Sequence, residues 1–227
     1  MSDRRGSRNV ARMPKSRRGI VFEEIDEYID RLAARGDGAL QAVERQGYAE
    51  GWPIVGPAEG SLLHILAKGI HSRRILELGT AIGYSGTWLA RALPEDGELI
   101  TVEGDPETAE TARKNFEKTG VASRVTTLVG IAQEILADLK GPFDFIFNDI
   151  DKEGYPDVLE PCIERLRTGG LLVTDNVLRR GDVARSERSS QTQAIRTYND
   201  RLAKDPRMLA AIVPLRDGVS IALKIHD

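Results

Sequence analysis

The sequence predicts an α/β protein built on a mostly parallel sheet, and three observations predict it. Short apolar runs alternate with amphipathic stretches of helical period along most of the 227 residues, the pattern of parallel strands joined by right-handed helical crossovers. Two of these runs, 143–147 and 171–173, end in polar clusters, Asn148-Asp149-Ile150-Asp151-Lys152 and Thr174-Asp175-Asn176. A third, Ile75-Leu76-Glu77-Leu78, runs into a glycine loop, Gly79-Thr80-Ala81-Ile82-Gly83-Tyr84-Ser85. In an open α/β sheet the carboxyl ends of the strands form the ligand crevice, so all three features point to one edge.

Taken in order, residues 21–34 and 37–47 read as helices, with Ile25, Tyr28, Ile29 and Leu32 on one stripe of the first. Gly51-Trp52-Pro53-Ile54-Val55-Gly56-Pro57 is an extended linker rich in breakers. A helix from Ala58 to Lys68 precedes the first strand. Strands fall near 73–78, 98–103, 124–129, 143–149 and 170–175, and helices follow near 84–91, 106–118, 132–139, 154–167 and 190–204. Two last strands, 208–214 and 218–225, flank the turn signal Arg216-Asp217-Gly218 and form an antiparallel hairpin at one edge. The seven strands make a single domain over 21–227, with 21–56 as N-terminal helices and a linker.

Composition fits a cytoplasmic enzyme. Apolar residues make up 41% of the chain, and no apolar run approaches the ~18 residues of a membrane span. Cys162 is the single cysteine, so no internal disulfide forms, as in a reducing cytosol. Residues 1–20 are read as a basic arm. Within it, positions 1–18 hold Arg4, Arg5, Arg8, Arg12, Lys15, Arg17 and Arg18 against Asp3 alone, a local charge of +6 that leaves −9 for the rest of a chain of net charge −3. Such an arm is either a solvated tail or an electrostatic contact with RNA or another acidic partner. No aromatic residue interrupts it, which argues against base stacking. His64, His71 and His226 lie outside the motifs, and Trp88 reads as core packing.

The strand ends carry the chemistry. Asp149, Asp175 and Asn176 offer oxygen donors on adjacent strands with no His or Cys nearby, a set that suits a hard cation such as Mg²⁺, with Mn²⁺ or Ca²⁺ as alternatives. Lys152 places an amine beside that cation, where it can take part in proton transfer. Acidic residues also end strands as ordinary caps, so either cluster alone would say little. The glycine loop lets backbone approach a ligand at a helix N-terminus. Glu103 lies 24 residues after Gly79, where a nucleotide-binding fold holds ribose hydroxyls. Ala81 stands where a dinucleotide fingerprint has its second glycine, which points to a ligand with a ribose and no pyrophosphate.

S-Adenosylmethionine is such a ligand, and the motifs carry a family resemblance. From about Gly51 to Lys224 the chain resembles the metal-dependent O-methyltransferases of the catechol and caffeoyl-CoA type, most of all their small bacterial members. The resemblance rests on Pro57-Ala58-Glu59-Gly60-Ser61-Leu62-Leu63, the Glu77–Ser85 loop, Val102-Glu103-Gly104-Asp105-Pro106, Asp149–Lys152 with Tyr155, Asp175-Asn176-Val177-Leu178 with Gly181 and Val183, and Pro214-Leu215-Arg216-Asp217-Gly218. It implies a Rossmann-like methyltransferase fold with helices on both faces, and a homodimer. It further implies that Asp149, Asp175 and Asn176 hold the metal, that Lys152 is the catalytic base, and that Glu103 binds the ribose. Gly79 and Ser85 would line the methionine end and Ala132 the adenine. Val55, Glu77, Gly83, Tyr84 and Asp149 complete the implied cofactor set. Asn148, Gly104, Ile131 and Arg179 depart from the usual pattern. None of them removes a ligand or the base, so they bear on the substrate. The expected acceptor is a catechol-like or other vicinal-oxygen small molecule. A tRNA-modifying enzyme of the same fold, with Arg179, Arg180 and Arg185 on phosphates, is the first alternative. A nicotinamide-binding oxidoreductase is the second.

Overall fold

The structure, a computed structural model, describes residues 21–33 and 36–227. The basic arm expected over 1–20 and the end of the first expected helix at 34 lie outside these residues. Before the sheet come α1 (Glu23–Leu32), α2 (Gly38–Glu50) and α3 (Gly56–Gly69). The alternating part follows as β1 (Arg74–Leu78), α4 (Tyr84–Ala92), β2 (Glu98–Glu103), α5 (Pro106–Lys118), β3 (Val125–Val129), α6 (Ala132–Asp138), β4 (Phe143–Asn148), α7 (Tyr155–Arg165), β5 (Leu166–Thr174) and α8 (Ser190–Lys204). The hairpin β6 (Met208–Val213) and β7 (Val219–Lys224) closes the chain.

One sheet of seven strands runs β3-β2-β1-β4-β5-β7-β6. The first five are parallel, β7 runs antiparallel to β5, and β6 pairs antiparallel with β7. The antiparallel strand therefore sits one place inside the edge, because the hairpin inserts its second strand next to β5. Strand order reverses between β1 and β4, which makes their carboxyl ends the switch point of the sheet. Alternation of side chains along the strands feeds two apolar layers. Ile75 and Phe147 pack with Leu63, Trp88 and Phe116 on one face. Leu76 and Ile146 pack with Leu159, Ile163 and Tyr198 on the other. Trp88 and Cys162 are both core residues, and burial pushes the Cys162 thiol up to about 12.

The helix expected over 154–167 ends earlier, at Arg165, and β5 starts at Leu166. Two contacts explain the change. The Arg165 guanidinium donates to the Leu139 carbonyl at 2.8 Å and the Ala137 carbonyl at 3.0 Å. Leu166 pairs with Phe143 ahead of a register shift, and Gly169 (φ 79°) takes up the bend that follows. The structure adds a 3₁₀ turn at Lys152–Gly154, and two short turns joined by a kink at Arg180 and Gly181 within Arg179–Ala184. Among the described residues no helix is long and apolar enough to cross a membrane.

Candidate functional site

The carboxyl ends of β1, β2, β4 and β5 open onto a cleft of about 690 Å³. Val55, Gly79, Tyr84, Ser85, Glu103, Ala132, Asp149, Lys152 and Asn176 line it, so nine of the expected residues share one cavity. Glu77, Gly83 and Asp175 stand behind that wall. Gly83 (φ 82°) is the residue before α4, and a Cβ there would meet the Phe116 ring at 2.9 Å, so its role is to start the helix.

The glycine loop is held against the second strand end. Gly79 has φ 97°, and a Cβ there would lie 2.5 Å from the Asp149 carbonyl oxygen. Only glycine lets these two loops approach so closely. Glu103 accepts from the Ala81 amide at 2.8 Å and from the Asp105 amide at 3.1 Å. Its carboxylate is thus fixed at the rim of the cleft. Asp105 caps α5 by accepting from the Thr108 amide at 2.7 Å. Beneath the loop, Glu77 is fully buried, and its Oε2 accepts from the Thr101 hydroxyl at 2.6 Å. Burial pushes this carboxyl up to about 7, against the lowering effect of the Ser85 and Thr101 hydroxyls.

The acidic cluster forms where β4 and β5 end side by side. Phe147 pairs with Val173 and Asn148 with Thr174, so Asp149 and Asp175 follow at the same level. The 3₁₀ turn after Asp151 folds Lys152 back, and its Nζ donates to Asp149 Oδ1 at 2.8 Å and to the Ile150 carbonyl at 3.2 Å. Tyr155 donates its hydroxyl to the Asp175 carbonyl at 2.8 Å and anchors that backbone. Asn176 adopts a left-handed conformation (φ 57°), with its amide donating to Asp175 Oδ1 at 2.5 Å. Asp175 is 3% exposed. Burial first, and the Asp149 carboxylate second, push its carboxyl up to about 7.

This donor set fits a hard divalent cation. The half-buried Asp149 and the buried Asp175 bring two carboxylates to adjacent strand ends against the single ammonium of Lys152, and Asn176 follows directly on the cleft wall. Among the described residues no three His, Cys, Asp or Glu side chains gather as a metal cage, so a cation here would have to draw on the Asn176 amide as well.

Sequence reasoning missed Glu59 and underused Arg216. Glu59, in α3, is 0% exposed, and neither carboxylate oxygen has a hydrogen-bond donor. Its nearest ion-pair partner is Arg216, whose Nη1 lies 3.8 Å from Oε2. The same nitrogen donates to the Ile54 carbonyl at 3.1 Å. A signal was present: Gly56, Glu59, Gly60, Leu63 and Ala67 recur at helical spacing and are all buried. In the segment between β5 and α8, Arg179 bonds to Gln191 and Arg185 lies 3.5 Å from Asp182. His64 contacts the Trp88 carbonyl at 3.0 Å and is structural.

Comparison with known proteins agrees with this architecture. Residues 37–225 match the model of a family described as O-methyltransferase. A catechol O-methyltransferase of Niastella koreensis is 38% identical over 216 residues, 89% of this chain and 97% of that protein. A catechol O-methyltransferase of Mycobacterium tuberculosis is 34% identical, covering 88% and 94%. Among solved structures, the O-methyltransferase TomG of Streptomyces achromogenes, determined with S-adenosylmethionine, superposes with a TM-score of 0.82 at 34% identity, covering 89% of this chain and 96% of that one. The O-methyltransferase of Bacillus cereus, in complex with S-adenosylhomocysteine, gives 0.81 at 32% identity, covering 88% and 97%. With the glycine loop, the switch-point cleft and the paired strand ends in place, this chain belongs to the O-methyltransferase family and is a methyltransferase.

Proposed function

We propose that the protein is a cytosolic, S-adenosylmethionine-dependent and divalent-metal-dependent O-methyltransferase whose acceptor is a small molecule with vicinal oxygens, such as a catechol. One observation carries the reading: the glycine loop, Glu103, Asp149, Lys152 and Asn176 line one cleft, with Asp175 directly behind its wall at the end of the strand next to Asp149. S-Adenosylmethionine supplies a methyl group on a sulfonium centre. Glu103, already fixed by two backbone amides, accepts from its ribose hydroxyls. Gly79, Tyr84 and Ser85 leave room for the methionine end, and Ala132 flanks the base. A cation held by Asp149, Asp175 and Asn176 would chelate the acceptor and lower the pKa of its hydroxyl. Lys152, whose Nζ lies 2.8 Å from Asp149 Oδ1, would in its neutral amine form accept the hydroxyl proton of the acceptor as the methyl group is transferred. Val55, Pro53 and Trp52 line the cleft beside the glycine loop.

Arg179 is engaged by Gln191, which supports a small acceptor over phosphates of an RNA. The apolar side chains Ile25, Tyr28 and Leu32 are exposed on α1, which supports a homodimer, to be read as a doubled mass by light scattering. Incubation with labelled S-adenosylmethionine, a panel of phenols and bulk tRNA tests the acceptor. Label on a vicinal diol, unchanged by deletion of residues 1–18, is the expected result. Label on tRNA alone, lost with the arm and steeply salt-dependent, would replace the small acceptor with RNA.

A further inference from the structure

We propose that Arg196, on α8, is a positioning residue for the acceptor end of the cleft: its guanidinium clamps the 182–187 segment, part of the chain that joins the Asn176 strand end to the Lys152 turn. The inference rests on the methyl-transfer reading above and concerns a residue outside the cleft wall. A guanidinium has five N–H donors, and Arg196 spends four of them on backbone carbonyls of this one segment. Nε donates to the Val183 carbonyl at 2.9 Å and Nη1 to the Glu187 carbonyl at 2.7 Å. Nη2 donates to the Asp182 carbonyl at 2.8 Å and to the Arg185 carbonyl. A planar fork suits such a set, because its donors diverge in fixed directions. Val183 also packs against the core, but residues 184–190 are exposed. A segment with so few buried apolar contacts opens easily once its polar tether is gone.

Other side chains of α8 hold the chain from the end of β5 onward. The Tyr198 and Thr174 hydroxyls lie 2.6 Å apart, Asn199 donates to the Val177 carbonyl at 2.8 Å, and Gln191 accepts from Arg179. Asp175 and Asn176 lie between the first two of these anchors. The tethered chain then meets the cleft wall at both ends. The Arg179 amide donates to the Asn176 carbonyl at 3.3 Å. At the far end the Ser190 hydroxyl donates to Glu153 Oε1 at 3.1 Å, one residue from Lys152. Asn176 and Lys152 both line the cleft. Between the ends, Arg180 (φ 52°) and Gly181 (φ 82°) are consecutive left-handed residues, and such a conformation persists where the surroundings over-determine it. Arg196 supplies that restraint beyond the bend. None of residues 179–190 lines the cleft beside the glycine loop or Glu103, so release of the segment should disturb the acceptor end and leave cofactor binding alone.

Trypsin reads the clamp without any acceptor, because Arg185 and Arg188 are exposed. With cut sites identified by mass spectrometry, Arg196→Ala should be cleaved after these two residues about tenfold faster than the full-length parent, as loss of several hydrogen bonds implies. Its kcat/KM for catechol should fall by about 10–100-fold, the scale of a displacement of about 1 Å at the reacting groups. Its Kd for S-adenosylmethionine, by calorimetry, should stay within about twofold of the parent, as for independent sites. Arg196→Lys keeps the charge but loses the fork, so it should follow Arg196→Ala in all three readouts. Thr197→Ala, on the exposed face of the same helix, should match the parent. Parent-like cleavage and parent-like kcat/KM in Arg196→Ala would overturn the proposal. So would cofactor binding weakened as much as methyl transfer, or full recovery of both by Arg196→Lys. If Arg196→Ala does not fold, Arg196→Lys decides on the same readouts. If the parent transfers no methyl group to catechol, the acceptor reading fails, and cleavage alone decides the clamp.

Discussion

Replacing Gly79 with alanine tests the contact on which the whole site is built. Gly79 has φ 97°, and an added Cβ would lie 2.5 Å from the Asp149 oxygen, 2.9 Å from its carbonyl carbon and 3.3 Å from the Ile150 nitrogen. Comfortable carbon contacts begin near 3.5 Å, so the second loop must retreat by about 1 Å. The left-handed backbone costs alanine roughly 1–2 kcal/mol, and over-packing adds roughly 1–3 kcal/mol. Together these predict a loss of about 2–5 kcal/mol, or roughly 4–20 °C in Tm for a chain of this length. The displaced atoms belong to Asp149, three residues before Lys152, so the reacting groups move as well. A misplacement of about 1 Å can cost on the order of 100-fold in rate. Gly104→Ala is the control for stability, because no atom lies within 4 Å of its added Cβ, and it should stay within about 0.5 kcal/mol of the parent. Differential scanning calorimetry and single-turnover methyl transfer read the two effects. A Gly79→Ala protein that melts with the parent and transfers at the parent rate would refute the reasoning.

Two further predictions follow from carboxylates in the cofactor half. Glu103→Ala should weaken S-adenosylmethionine binding by about 1.5–3 kcal/mol, the range for hydrogen bonds to a charged group; unchanged affinity by titration calorimetry would remove Glu103 from the ribose site. Glu77 has its carboxyl raised by burial from 4.5 to about 7, so the native state holds a proton that the unfolded chain releases. Stability should then fall as pH rises from about 4.5 to 7, by up to about 3 kcal/mol, and level off above that window. Glu77→Gln should flatten this slope and be the more stable protein at pH 8, and chemical denaturation showing parallel pH profiles for the two would contradict it.

The parallel sheet and the cleft at its switch point were legible because strand and helix periods differ, and because the polar clusters interrupt apolar runs where strands must end. Asp149, Asp175 and Asn176 could be grouped from sequence since adjacency of their strands follows from the alternating pattern. Three things were harder to read. Leu166 joins β5 because it pairs with Phe143 and because Arg165 is tied to two carbonyls, and neither contact is visible in local propensity. Glu77 and Gly83 belong to the glycine loop in sequence yet stand behind the cleft wall, since alternation along β1 turns Glu77 toward Thr101. Glu59 was passed over because its significance depends on Arg216, 157 positions away in the chain, and on a left-handed backbone that only the folded turn imposes.

Metal dependence of methyl transfer is the measurement that bears most directly on the account. Protein stripped with a chelator should transfer no methyl group from S-adenosylmethionine to a catechol, and Mg²⁺ or Mn²⁺ should restore the reaction. Asp175→Ala should behave like stripped protein at any cation concentration. Full transfer in excess chelator, with Asp175→Ala as active as the parent, would contradict the assignment of Asp149, Asp175 and Asn176.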